Sequence, residues 1–178
     1  MPEPSSADRP SDAAPASTTD SAGAGAVPPG FRALRTAGDF IHVNGPLYLY
    51  HHRDDVRLGF RVERRHTNPM GICHGGMLAS FCDMLLPISA HRVNREVGHR
   101  FLPTINLQID YLAPAKLGDW VEGRAEVLKV TRSLVFAQGL VTSNGVPCAR
   151  VSGIFKLCLL YTSPSPRDLS TSRMPSSA

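Results

Sequence analysis

The sequence predicts an α+β domain, one long apolar helix with an antiparallel sheet wrapped on it, and three observations predict it. An apolar segment from Met77 to Leu86 starts directly after the Gly75-Gly76 pair. Downstream stand strand-like runs, the first two of which alternate apolar and polar residues with the period of a half-buried strand. Ser143-Asn144-Gly145 then separates the last two runs as a strong hairpin turn.

In chain order, residues 1–30 are dominated by Pro, Ala, Ser, Thr, Asp and Gly. They hold too little large apolar surface to offset the entropy of ordering and are expected to form a disordered tail. Phe31 to Ile41 reads as a short amphipathic piece of one or two helical turns leading into Gly45-Pro46. Leu47 to His51 and Val56 to Val62 form an expected hairpin about Arg53-Asp54-Asp55. In its second strand Val56, Leu58, Phe60 and Val62 alternate with Arg57 and Arg61.

The helix opens at Gly75. Pro87 removes one of its backbone hydrogen bonds and is expected to kink it, with Ile88 to Val93 able to continue the coil. Glu96 to His99 is a loop. Phe101 to Tyr111 is a strand with Ile105, Leu107, Ile109 and Tyr111 on one face and Thr104, Asn106, Gln108 and Asp110 on the other. Strands over Trp120–Val130, Ser133–Thr142 and Pro147–Leu157 complete the sheet.

Residues 158–178 contain two stretches, Cys158 to Asp168 and Ser172 to Ala178, that resemble translated sequencing-adapter DNA, and the whole segment is set aside as a non-native tail. The expected domain is therefore 31–157, an ordinary size for one core. The chain carries a formal charge of +4. Its basic residues are scattered rather than clustered, which favours a small anionic ligand or plain solubility over nucleic acid. No apolar run is long enough to span a bilayer, and no basic start leads into an apolar stretch, so neither a membrane span nor a secretory signal is expected.

The cysteines of the domain, Cys73, Cys82 and Cys148, are odd in number and lack metal-ligand spacing, which fits a reducing, cytoplasmic compartment. The histidines show no metal spacing either. A Cys73 thiol activated by His74 is set aside, because side chains adjacent in sequence seldom pair that way.

One charge stands out. Asp83 is the only charged side chain between Gly75 and Ala90, set among Phe81, Cys82, Met84 and Leu85. Buried and unpaired it would cost several kcal/mol. Gly75 and Gly76, at the positive end of the helix, offer backbone N–H groups that no side chain obstructs, a place for an oxyanion. Eight residues separate Asp83 from Gly75, roughly 12 Å along the helix at its usual rise. One chain cannot bring both to one carbonyl. If they cooperate, a second copy of the helix lies antiparallel beside the first, and the protein is a dimer.

With Asn68, Gly71, His74, Gly75, Gly76 and Asp83 in that order, followed by Tyr111-Leu-Ala-Pro-Ala-Lys-Leu-Gly118, the chain resembles the hotdog-fold acyl-CoA thioesterases of the phenylacetic-acid-degradation (PaaI-like) type. The likeness covers essentially Phe31 to Leu157. It implies a central helix wrapped by the sheet, two domains joined edge to edge into a continuous sheet, and active sites across the homodimer interface, with dimers commonly pairing into tetramers.

The resemblance also implies roles. Asp83 would be general base or nucleophile, against the plain alternative of a structural ion pair with an Arg. Gly75 would donate its N–H to the thioester oxygen. His74 would organise the loop, and Asn68 would orient water or thioester unless it merely caps its own turn. Thr104 stands where the family places a hydroxyl that helps hold the water. Arg132 and Ser133, then Arg64 and Arg65, are candidates for the phosphates of coenzyme A, which enters as part of the substrate; no metal or redox cofactor is implied. Two rivals remain. A non-catalytic acyl-CoA-binding module would bind without turnover, and a hydratase would need a differently placed His and acid pair.

Overall fold

The computed structural model describes residues 25–35, 38–98 and 100–158. Most of the expected disordered tail and all but Cys158 of the adapter-like segment lie outside the described residues, as does His99. The chain forms β1 (Arg32–Ala33), α1 (Gly38–Asn44), β2 (Tyr48–His52), β3 (Asp55–Arg61), a 3-10 turn (Arg64–His66), α2 (Gly75–Val93), β4 (Thr104–Tyr111), β5 (Trp120–Val130), β6 (Leu134–Ser143) and β7 (Val146–Lys156). The seven strands make one antiparallel sheet in the order β1-β2-β3-β5-β6-β7-β4. This is an α+β hotdog arrangement, with α2 as the filling.

Alternation explains the sheet and a four-residue repeat explains the helix. Met77, Leu78, Phe81, Cys82, Leu85, Leu86, Ser89 and Ala90 are buried, so adjacent pairs recur every turn and bed one face of α2 on the sheet. Phe81, Leu85 and Leu86 are fully enclosed, each contributing about 1.5–3 kcal/mol of burial. The helix comes this close because glycines lie beneath it. A Cβ at Gly123 would stand 2.4 Å from Leu85 Cδ2, and one at Gly153 would stand 2.8 Å from Leu86 Cδ1.

The structure meets one sequence expectation and departs from three. The α2 coil runs through Pro87 to Val93; the missing proline N–H leaves the Asp83 carbonyl without its i+4 donor. The strand expected from Phe101 begins at Thr104, since Pro103 has no N–H to give the ladder, and Phe101 makes only an isolated bridge to Cys158. Part of the Phe31–Ile41 segment is the short strand β1 rather than helix.

The third departure concerns the edge. Ile105 and Tyr111, expected on a covered face, are 57% and 54% exposed. β4 is the last strand of the sheet and, among the described residues, pairs only with β7, so none of them adds a strand to that margin.

Gly123→Ala is expected to lower the unfolding free energy by about 1–3 kcal/mol, as overpacking does. Urea denaturation measures this, and an unchanged midpoint would show that Leu85 yields freely.

Candidate active site

The loop before α2 is built by its own backbone. Asn68 N–H donates to the Ile72 carbonyl and Gly71 N–H to the Asn68 carbonyl, both at 2.9 Å. Gly71 takes a φ of +72°, which glycine adopts without strain. The Asn68 side chain joins in, its Oδ1 accepting from Met70 N–H at 3.0 Å and Ile72 N–H at 3.4 Å. The turn-capping alternative for Asn68 is therefore present in the geometry, and its amide nitrogen is the part left over for any ligand.

Two further bonds pin the loop to its surroundings. Cys73 N–H donates to Ala115 O at 2.7 Å, and His74 N–H to His66 O at 2.8 Å. His74 is the N-cap of α2. Its Nδ1 accepts from Gly76 N–H at 2.9 Å, so in the neutral ring the proton sits on Nε2. The Gly75 N–H has no partner among the described residues. Meanwhile Tyr111 donates its hydroxyl to Gly75 O at 2.9 Å and braces the first turn. What remains at the helix start is a backbone donor at the positive end of the dipole, beside the Tyr111 ring.

Asp83 does not sit in the core, contrary to its apolar sequence neighbours. At 100° per residue it falls on the stripe with Gly76, Ala79, Ser80 and Pro87, opposite the buried face, and it is half-buried. Thr104 donates its hydroxyl to Asp83 Oδ1 at 2.6 Å. That contact depends on a register shift between Thr104 and Asn106 in the β4–β7 pairing. In a regular strand Thr104 and Tyr111 point to opposite faces; the bulge turns Thr104 to the helix side, where Tyr111 also points.

The basic candidates separate into two places. Arg132 and Ser133 occupy the reversal between β5 and β6, and Ser133 O accepts from Leu157 N–H at 2.8 Å. Val135 and Thr104 both flank Phe155 in register, so this reversal belongs to the Asp83 end of the sheet. Arg64 and Arg65 belong to the 3-10 turn that holds His74, at the Gly75 end. Arg65 is already engaged, with Glu63 at 2.9 Å, Val43 O at 3.3 Å and Gly45 O. Arg64 is exposed and Arg132 is exposed.

Cys73 is buried, and burial pushes its thiol up to about 12. It holds essentially no thiolate at neutral pH, which removes it as a nucleophile.

Two residues were passed over in the sequence reading. Tyr111 lay in a quoted motif without a role, and its contact with Gly75 has no local signature. His66 had none either: it is 3% exposed, accepts from Glu63 N–H through Nδ1 at 3.0 Å, and packs edge-on against Phe60.

Residues 70–148 match the family model described as the thioesterase superfamily. The human acyl-coenzyme A thioesterase 13 is 30% identical over 114 residues, covering 64% of this chain and 79% of the relative. Among solved structures, zebrafish thioesterase superfamily member 2 aligns with a TM-score of 0.60 at 28% identity, over 68% of this chain and 88% of that one. The phenylacetic acid degradation protein PaaI of Thermus thermophilus shares the fold, with a TM-score of 0.54 at 23% identity over 66% and 97% of the two chains.

Burial, and next the Arg65 charge, hold the His66 imidazole below its ordinary 6.5. Between the lowered value and 6.5 the unfolded chain binds a proton that the folded chain does not, so stability falls as pH drops through that window. His66→Asn is expected to lose less stability than the parent between pH 7 and pH 5, measured by urea midpoints. An equal loss would assign the effect to other groups.

Proposed function

The chain belongs to the thioesterase superfamily as a PaaI-like hotdog thioester hydrolase, and on that premise we propose that it hydrolyses an acyl-CoA to a free carboxylic acid and coenzyme A across the interface of a homodimer. The observation that carries this reading is the separation on one helix of a donor without a partner among the described residues, Gly75 N–H, and a hydroxyl-pinned carboxylate, Asp83. They lie roughly 12 Å apart along α2, so they meet only when two antiparallel copies supply one each. An edge strand with Ile105 and Tyr111 uncovered supports such a pairing. Pairing of dimers into tetramers extends the proposal.

In the proposed reaction the thioester oxygen sits on the Gly75 N–H of one subunit, where negative charge develops as the carbonyl carbon is attacked. In the other subunit Thr104 holds Oδ1 of its own chain's Asp83 and leaves Oδ2 to take a proton from water. The water oxygen bonds to the carbonyl carbon, the tetrahedral intermediate collapses, and the C–S bond breaks. The thiolate of coenzyme A leaves and is protonated. His74 keeps the loop in shape through Gly76, and the Asn68 amide nitrogen orients water or thioester.

In the same composite site, Arg132 and Ser133 from the Asp83 subunit and Arg64 from the Gly75 subunit would flank the coenzyme A phosphates. Arg65, committed to Glu63 and α1, would act through the loop instead. No helix of the described residues is long and apolar enough to cross a membrane. The buried free thiols suit a reducing, cytoplasmic setting.

Thiol release from a panel of short, medium and aryl acyl-CoAs tests the reading. Asp83→Asn is expected to lower kcat by on the order of 10²–10⁴, the range for loss of a general base. Gly75→Pro removes the N–H at the first helical position, where proline is tolerated. His74 already has the extended backbone that a residue before proline needs, at φ −63° and ψ 136°. That variant should fold and still lose about 10²–10³ in kcat. Tight binding of acyl-CoA without Asp83-dependent release would instead make the protein a binding module.

A further inference from the structure

At the start of α2 two consecutive peptide units carry four polar groups, and the protein holds three of them. His74 O accepts from Met77 N–H at 2.9 Å and from Leu78 N–H at 3.2 Å. The other end of that unit is the Gly75 N–H, which has no partner among the described residues. In the next unit Gly76 N–H donates to His74 Nδ1, and Gly75 O accepts from the Tyr111 hydroxyl, both at 2.9 Å. That second unit is gripped at both ends by side chains, one from the loop before the helix and one from the margin strand β4.

Glycine restrains its own backbone angles less than any other residue, and helix ends fray. The direction of the Gly75 N–H therefore depends on what holds the units on either side of it. The Tyr111 ring also lies against this residue: a Cβ at Gly75 would stand 3.5 Å from Tyr111 Cζ and Oη and 3.6 Å from Cε1. Burial, and next the Cys82 and Cys73 thiols, push the phenol above its ordinary 10.0, so it stays a hydrogen donor at neutral pH. It is too weak an acid to protonate a departing thiolate, since a cysteine thiol titrates at about 8.5. The hydroxyl orients and does not transfer a proton.

We propose that Tyr111 is a positioning residue for thioester hydrolysis: by holding Gly75 O from β4 it aims the Gly75 N–H at the thioester oxygen. The inference rests on the thioesterase reading and adds a residue to its oxyanion site. His74 and Tyr111 are then counterparts, each fixing one end of the peptide unit behind the donor. The strand that supplies Tyr111 is the sheet margin, so the element that meets the neighbouring subunit also sets the donor.

A double-mutant cycle tests it, with thiol release from an acyl-CoA measured in the parent, Tyr111→Phe, Gly75→Pro and the double variant. Tyr111→Phe keeps the ring and removes only the hydroxyl. It is expected to lower kcat about three- to tenfold, the worth of one hydrogen bond. KM should stay within about twofold, because the donor acts on charge that develops in the transition state. In Gly75→Pro there is no N–H left to aim, and a Cβ at that position meets the ring only at ordinary contact distance. Adding Tyr111→Phe to Gly75→Pro should therefore change kcat by less than about twofold.

A merely structural Tyr111 lowers kcat by the same factor in both backgrounds, and that result would overturn the proposal. So would Tyr111→Phe with the parent's kcat, or with a loss confined to KM, a comparison that needs only the most conservative variant to fold. Gly75→Pro at full activity removes the donor and this inference with it. If the parent releases no thiol from any acyl-CoA, the thioesterase reading itself fails first.

Discussion

A straight α-helix keeps its residues at fixed spacing, and in this protein that rigidity separates the two groups that chemistry would want together. The Gly75 N–H and the Asp83 carboxylate lie roughly 12 Å apart on one rod. No loop movement shortens that distance. Either the two groups are unrelated, or the working unit contains two rods running in opposite directions. Much else in the structure accords with the second alternative. The Asp83 stripe of α2 is the face not bedded on the sheet, and β4, which carries Thr104 to Asp83 and Tyr111 to Gly75, is the uncovered margin of that sheet.

The helix can carry this geometry because its other face is so firmly held. Gly123 and Gly153 let Leu85 and Leu86 reach the sheet backbone, and pairs of apolar residues on each turn bury against it. At its start, His74, Tyr111 and the Ala115 carbonyl fix the glycine turn from three directions. A rigid rod with a rigid end preorganises a backbone donor, and electrostatic stabilisation of a developing oxyanion needs that preorganisation.

Much of this was legible in the residues. Alternation in Val56–Val62 and Trp120–Val130 marked strands, Asn144-Gly145 marked its hairpin, and the Gly75-Gly76 pair marked the start of α2. The family likeness that ordered Asn68, His74, Gly75 and Asp83 led to the thioesterase superfamily. What escaped was three-dimensional in kind. The bulge that turns Thr104 to Asp83 breaks the period-two rule from which its face was read. Asp83 looked enclosed because its sequence neighbours are apolar, whereas helical spacing puts it on the outer stripe. The enclosed setting of His66 depends on a bond from Glu63 and on packing against Phe60, neither of which leaves a pattern in the chain.

The composite site is tested most directly by mixing two variants that are each inactive, Asp83→Asn and Gly75→Pro, and allowing their subunits to exchange. Half of the dimers should then hold one site built from an intact Asp83 and an intact Gly75, and thiol release from an acyl-CoA should return to about a quarter of the parent rate, as two-fold symmetry requires. A mixture that exchanges subunits and stays as inactive as its components would contradict a site shared between two chains.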